Sequence, residues 1–188
     1  MPDRLLTVIC VLLALSGCRK DNAADVPRPE AWPRADVPAA VYRTAGYGRV
    51  SMSVNAAAKV DTVDNGLTIS YPGLNAAIYV TVISTGASEY ATTLEQRMRR
   101  IDLNLNGISA DAAETENADG FRLVQVTALS ATQTPVQLLA ASARRDIIVT
   151  ATAFLNTTAT VANRDSLAPY TEVLGRDLTA LGTSLKAK

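Results

Sequence analysis

The chain has 188 residues, 18 basic and 18 acidic side chains, no histidine, two cysteines and a hydrophobic content of 48%. Without an imidazole it cannot build a Ser-His-Asp triad, a Cys-His dyad or a histidine-containing metal site. A neutral charge balance provides no basic surface for nucleic acid. The length suits one domain with at most a small appendage. We therefore predict a small protein that is not an enzyme and that uses neither a cofactor nor a metal.

The N-terminus has the pattern of a bacterial lipoprotein signal peptide. Arg4 supplies a positive charge, and an apolar run follows at residues 5–15. Eleven helical residues span about 16 Å, roughly half of a ~30 Å hydrocarbon core, so this run is too short to cross a membrane. It ends in Leu15-Ser16-Gly17-Cys18, which resembles the lipobox that precedes a lipidated cysteine. We predict a signal peptide over residues 1–17; the alternative is an ordinary secretory peptide with an incidental cysteine.

Acyl chains on Cys18 are the predicted membrane partner of the protein. Each buried CH₂ group stabilises attachment by about 0.8 kcal/mol, and stable anchoring needs more than one chain. Cys10 lies inside the apolar run and would be removed with it. The mature chain would then have one cysteine, blocked by lipid, and no disulfide.

Residues 18–40 are predicted to be the lipidated cysteine followed by a proline-rich, extended tether. Proline fixes φ and drives the preceding residue toward extended conformations, which favours a spacer between bilayer and domain. The segment also holds Trp32, the only tryptophan. A solvated spacer has no use for an indole, so we expect Trp32 to pack on the domain. Arg34 and Asp36 could then pair with the domain surface or with each other.

Residues 41–188 are predicted to form a single α+β domain. Apolar alternation and β-branched runs predict strands at residues 49–54, 60–63, 67–71, 76–83, 111–118, 121–129, 136–143 and 146–155. Between them, turns are predicted at Asp64-Asn65-Gly66, where a positive φ is allowed, and at Asp119-Gly120 and Arg144-Arg145-Asp146.

Two amphipathic helices complete the predicted domain. The first begins near Ser88 as its N-cap and ends at Asn106-Gly107. The second follows a cap within residues 163–166, with Pro169 in its first turn. Their predicted core stripes are Leu94, Met98, Ile101 and Leu105, and Leu167, Tyr170, Leu174, Leu178, Leu181 and Leu185. We expect both helices to pack on an antiparallel sheet of six or seven strands. This order resembles the Mog1/PsbP-type arrangement, as an analogy of fold alone.

Three patterns could carry chemistry, and each has a simpler structural interpretation. Residues 46–51 begin like a dinucleotide-binding loop but lack its third glycine and precede a strand, which favours a hairpin or entry loop. An arginine cluster on the first helix is typical of a solvated face, with a phosphate or carboxylate site as the alternative. An acidic cluster is likewise typical of a solvated face; the alternatives are a calcium site or the paired catalytic carboxylates of a hydrolase. These clusters are Arg97, Arg99 and Arg100, and Asp111, Glu114, Glu116 and Asp119.

Three patches of the sequence resemble the gliding-motility lipoprotein GldD family of Bacteroidota. The patches are Pro27-Arg28-Pro29-x-x-Trp32-x-Arg34-x-Asp36-Val37-Pro38, Tyr71-Pro72-Gly73-Leu74-Asn75-Ala76 and Asp165-Ser166-Leu167-Ala168-Pro169. The family has an aspartate-serine turn and an arginine in the strand that follows. In this sequence, residues 142–145 lack the aspartate-serine turn and residues 147–154 lack the strand arginine. This indicates a divergent member, and it puts functions of those two groups in doubt.

The resemblance implies a non-enzymatic accessory protein of the gliding and type IX secretion machinery. Such a protein would be lipid-anchored at the outer membrane, facing the periplasm, and would stabilise other envelope lipoproteins of that machinery. The candidate partner-binding residues are Trp32, Arg34, Asp36 and Pro38. One alternative is a small binding module for a peptide or an envelope polymer, held on an open sheet face or beside the first helix. Another is a hydrolase that uses carboxylates alone.

Overall fold

Ten antiparallel strands, two α-helices and one short 3₁₀ helix (Pro72–Leu74) lie in the part of the chain that the computed structural model describes. These are residues 37–156 and 164–188, with the backbone alone for residues 164–167. The predicted α+β class is confirmed. The helices are α1 (Tyr90–Leu105) and α2 (Arg164–Thr183). The strands are β1 (Tyr42–Tyr47), β2 (Val50–Asn55), β3 (Lys59–Val63), β4 (Gly66–Tyr71), β5 (Ala76–Ser84), β6 (Ala110–Glu116), β7 (Phe121–Ala128), β8 (Val136–Ser142), β9 (Ile147–Leu155) and β10 (Lys186–Ala187).

The main sheet has seven strands in the order β3-β4-β5-β9-β8-β7-β6. It is built from two runs of antiparallel neighbours, and the two runs meet where β5 pairs with β9. That pairing is nine residues long, from Ala76 opposite Leu155 to Ser84 opposite Ile147. The eight predicted strands and the turns between them are confirmed within a few residues. β-Branched residues favour strands and turn residues favour specific turn conformations, so both can be recognised from the local sequence. The Mog1/PsbP-like arrangement stays a prediction.

A second, three-stranded sheet in the order β1-β2-β10 was not predicted beyond its central strand. β1 is an edge strand, and its residues do not alternate regularly between half-buried and exposed side chains. β10 is only two residues long. Val50, Met52 and Val54 of β2 are buried in the same core as the main sheet.

The two helices lie on opposite faces of the main sheet. Leu174, Leu178 and Leu181 of α2 are buried in a core with the side chains of one face, among them Leu138 and Val149. The next residues along those strands, Leu139 and Ile148, point to the other face and pack with Tyr90 and Ile101 of α1. Because successive strand residues alternate in direction, β8 and β9 are apolar on both faces.

The predicted details of α1 need two corrections. Ser88 is not its N-cap: Glu89 occupies that position without a side-chain hydrogen bond. Instead, the Gly86 carbonyl accepts from the backbone N–H groups of both Glu89 and Tyr90 at 3.1 Å, so a backbone turn starts the helix. Met98 is 50% exposed, because the helix meets the sheet along Tyr90 and Ile101 and turns Met98 outward. The predicted end is confirmed, with Asn106 and Gly107 at positive φ.

In α2 the predicted apolar stripe is confirmed where side chains are described. Leu174, Leu178, Leu181 and Leu185 are each at most 1% exposed. Leu185 lies just beyond the helix end, and the side chain of Leu167 lies outside the described residues. Pro169 lies inside the helix, in its second turn and not in its first.

Gly66 is required by close packing and not by its backbone angle. The turn at residues 64–65 is confirmed, with Val63 paired to Gly66, but Gly66 is not among the glycines with positive φ. A Cβ at this position would lie 1.8 Å from the carbonyl oxygen of Val80 on β5. The absence of a side chain therefore lets β4 pair with β5 at this point.

We expect Gly66→Ala to lower the free energy of unfolding by about 2–3 kcal/mol, since the added methyl forces β4 away from β5. Urea denaturation followed by circular dichroism measures the change. The matched control is Gly73→Ala, where a Cβ meets no atom within 4 Å. Equal stability of the two variants would show that β4 and β5 are not in contact as described.

Candidate functional site

Most of the residues predicted to form the site lie outside the described residues. Cys18, Trp32, Arg34 and Asp36 are all in that part of the chain. Pro38 is described, half-buried at the point where the chain enters the domain. The structure therefore tests how the predicted segment joins the domain, and leaves its other residues as predictions.

The chain enters the domain through a segment, residues 37–41, that is fixed by hydrogen bonds. The carbonyl of Pro38 accepts from the Arg176 guanidinium at 3.0 Å. The carbonyl of Ala39 accepts from the Asn55 side-chain amide at 3.0 Å. The carbonyl of Val41 accepts from the Ala56 N–H at 2.8 Å. Three successive anchor points leave this entry segment little freedom relative to β2 and α2.

Both side chains that hold the first two carbonyls belong to one group built around a buried carboxylate. We call it the Asp177 cluster: Tyr42, Asn55, Tyr71, Arg176 and Asp177. Asp177 is 3% exposed. One carboxylate oxygen accepts from Tyr42 Oη at 2.9 Å and from Arg176 Nε at 3.0 Å. The other accepts from Tyr71 Oη at 2.9 Å and from Asn55 Nδ2 at 3.0 Å. Four donors, one of them a cation, satisfy a carboxylate that is otherwise excluded from water.

The Asp177 cluster favours neutral tyrosines and a charged arginine. Burial raises the pKa of Tyr71 well above its usual value, and the nearby Asp177 carboxylate raises it further. The pKa of Tyr42 is raised for the same reasons, burial first. Both hydroxyls therefore keep their protons and remain donors to Asp177. The arrangement holds three parts of the chain together and presents no free acid or base.

The stability of the protein is expected to fall in alkaline solution because of Tyr71. Its folded pKa lies above the unfolded value of about 10. The stabilisation is therefore complete below about pH 10 and is lost as the pH rises toward the folded pKa, by up to about 1.4 kcal/mol per pH unit. Denaturation between about pH 8 and pH 11 should show a smaller alkaline loss for Tyr71→Phe than for the wild type. The control Tyr79→Phe changes an exposed tyrosine, and a loss identical in all three proteins would refute the assignment.

The face of the main sheet that carries α1 is divided into two regions. Under the helix it is apolar, with Ile83, Leu139 and Ile148 packed against α1. Beyond the helix it is polar and aromatic, and we call this region the open face. On β5 and β9, Tyr79 lies opposite Thr152 and Thr81 opposite Thr150. The open face consists of Thr68, Ser70, Tyr79, Thr81, Thr150, Thr152 and Phe154.

A cavity of about 320 Å³ lies between α1 and the open face. Its lining includes Tyr79, Thr81, Thr150 and Thr152 from the sheet, with Arg97, Arg100 and Asn104 from the helix. Asn104 fixes the helix to the sheet, since its Nδ2 donates to Gln137 Oε1 at 2.7 Å. We call this cavity the arginine groove. Sequence reasoning identified its arginines but not the threonines, which read only as strand formers.

The three arginines of α1 differ in their surroundings. Arg99 is exposed and lies 3.7 Å from Glu95, one turn earlier. Arg97 is half-buried beside the open face. Among the described residues, no carboxylate lies within 4.0 Å of the Arg97 or Arg100 guanidinium. The solvated-face interpretation therefore fits Arg99, while the half-buried Arg97 and the exposed Arg100 both line the cavity.

The predicted acidic cluster lies on the exposed edge strand β6 and the turn after it. All seven residues of β6 are exposed or half-buried. Glu114 pairs with Arg122 at 2.7 Å. Glu116 is the one carboxylate among the described residues that line a cavity of about 550 Å³ on the other flank of α1. The described acidic side chains are thus spread along an edge and do not converge on one point.

Neither helix in the described part of the chain is long and apolar enough to cross a membrane. Among the side chains described, those of residues 37–156 and 168–188, no three potential metal ligands come together.

Comparison with known proteins gives this chain no family assignment. No protein-family model matches it, and no curated protein matches it.

Proposed function

We propose that this protein is an envelope lipoprotein, anchored through Cys18 at the periplasmic face of the outer membrane. Its domain acts as a non-enzymatic accessory partner of other lipoproteins in the gliding and type IX secretion machinery. The L-S-G-C sequence at residues 15–18 supports the anchor. The three patches that resemble the GldD family support the proposed role in the gliding and type IX secretion machinery.

The observation that carries the proposal is the fixed junction between the predicted tether and the domain. The first patch ends at Pro38, whose carbonyl accepts from Arg176. The second begins at Tyr71, whose hydroxyl donates to Asp177. Two patches that lie far apart in sequence thus meet at neighbouring residues of α2. A passive spacer needs no such attachment, whereas a segment that presents side chains to a partner needs a defined position on its domain.

The partner-binding role of the tether is tested by Arg34→Ala combined with Asp36→Ala. In cells whose own copy of the gene is deleted, we expect this double variant to be folded and membrane-bound but unable to support secretion, or gliding where the cells glide. The reason is that two charged groups next to the fixed junction would be missing from the contact.

The matched control is Arg99→Ala combined with Asp102→Ala, which removes an exposed arginine and an exposed aspartate from α1. It should restore secretion. Protease resistance and membrane fractionation confirm that both double variants are folded and retained. Normal secretion and motility with Arg34→Ala and Asp36→Ala would contradict the proposed role of this segment.

The second candidate function, a small binding module for a peptide or envelope polymer, is favoured by the arginine groove. A volume of about 320 Å³ is at the lower end of the range for ligand sites. The groove lies beside the first helix and on the open sheet face, as this hypothesis requires. Its lining is polar and includes Arg97 and Arg100, which points to a charged ligand.

A further inference from the structure

The arginine groove contains two cations that the described part of the domain does not neutralise. Arg97 and Arg100 are three residues apart on α1, so they lie on the same side of the helix and repel each other. No carboxylate of residues 37–156 and 168–188, whose side chains are described, comes within 4.0 Å of either guanidinium. A carboxylate placed between them would accept hydrogen bonds from both and relieve the repulsion.

The floor of the groove adds hydroxyl groups and an aromatic surface. Thr81, Thr150 and Thr152 line the same cavity as the arginines. Tyr79 is 49% exposed, and its ring packs against Phe154 at 6.4 Å between centroids and 59° between planes. Hydroxyl side chains both donate and accept hydrogen bonds, and an exposed aromatic ring offers an apolar surface with a polar edge.

The groove extends past Tyr79 along the sheet. A neighbouring cavity of about 360 Å³ is lined by Tyr79 and Phe154, together with residues of the β4–β5 connection. Since Tyr79 lines both cavities, a ligand longer than one ring can lie across it. The shape therefore suits an oligomer of small polar units.

An added peptide strand cannot account for this surface. β5 and β9 are central strands, and their backbone groups already pair with β4, with each other and with β8. Strand addition requires an unpaired sheet edge, so recognition here must come from the side chains. Cations, hydroxyls and an exposed ring are groups that bind a sugar acid through its carboxylate, its hydroxyls and the face of its ring.

We propose that the arginine groove binds an acidic oligosaccharide, with Arg97 and Arg100 holding a sugar carboxylate and Tyr79 contacting the ring. This inference does not rest on the lipid anchor or on the secretion machinery. It assigns a ligand class to the domain itself.

The test is isothermal titration calorimetry of the purified full chain in non-ionic detergent with trigalacturonate, and with maltotriose as the neutral trisaccharide. We expect saturable binding of trigalacturonate and binding of maltotriose that is weaker by at least about tenfold. Arg97→Ala combined with Arg100→Ala should weaken trigalacturonate binding by at least about tenfold. If maltotriose binding is measurable, Tyr79→Ala should weaken the binding of both sugars.

The matched control is Arg99→Ala, which removes the neighbouring exposed arginine outside the groove and should leave binding unchanged. A urea midpoint equal to that of the wild type shows that a variant is folded. If the double variant is not folded, Arg100→Ala alone is tested in its place. The proposal is overturned by absence of trigalacturonate binding, by equal loss with Arg99→Ala, or by an acidic hexapeptide that binds as tightly as the sugar.

Discussion

Asp177→Ala is expected to lower the free energy of unfolding by about 3–5 kcal/mol, because several buried or half-buried donors lose their common acceptor. Asp177 accepts hydrogen bonds from Tyr42, Asn55, Tyr71 and Arg176, and its side chain is 2% exposed. Without the carboxylate, buried hydroxyls and an amide lose their acceptor, each at a cost of about 1–3 kcal/mol that does not add fully. Urea denaturation followed by circular dichroism measures the difference.

The loss of Asp177 should also loosen the entry segment, because Arg176 and Asn55 hold the carbonyls of Pro38 and Ala39. Limited proteolysis near residues 37–41 should therefore become faster in the variant. The matched control is Asp102→Ala, which removes an exposed carboxylate from α1 and should change stability by less than about 0.5 kcal/mol. If the two aspartate variants were equally stable, the Asp177 cluster would not be the structural centre described above.

Cys18→Ser is expected to move the protein from the membrane fraction to the soluble fraction. The hydroxyl of serine cannot carry the thioether-linked lipid, and the acyl chains are the proposed anchor. Several buried acyl chains, at about 0.8 kcal/mol per CH₂, make attachment effectively permanent, so their loss should be nearly complete. Fractionation after a high-salt wash, with incorporation of labelled palmitate, measures retention and acylation together.

The control is Cys10→Ser, which changes the cysteine inside the predicted signal peptide. This variant should be acylated and retained like the wild type. Unchanged fractionation of Cys18→Ser would refute the lipoprotein proposal, while the arginine groove and its ligand would remain to be tested by calorimetry.

Helices and strands were largely predictable because their signals are local. The β9 run from Ile147 to Leu155 combines β-branched residues with a turn before it, and the structure has the strand at that place. The leucines of α2 recur at helical spacing and are buried. Errors occurred where a backbone group replaced the expected side chain, as at Ser88, or where a strand lacks alternation, as in β1.

The candidate site was less predictable because its groups come from distant parts of the chain. Asp177 stands among the leucines of α2, and a lone carboxylate in an apolar helix face was the one signal that could have identified it. Nothing local connects it with Tyr42, Asn55 and Tyr71. The arginines of α1 form a recognisable cluster in the sequence, but their spacing alone does not separate Arg99 from the pair that lines the groove.

The sequence by itself determined the candidate lipid attachment at Cys18, the absence of histidine chemistry, eight of the ten described strands and the amphipathic helices, since each depends on neighbouring residues. Only the tertiary structure decided that the helices occupy opposite faces of the sheet. It also decided that Pro38 and Tyr71 both form hydrogen bonds with α2, and that two arginines line the same cavity as three threonines. These relations depend on strand order and on the direction of each side chain, which arise when residues distant in sequence pair across the sheet.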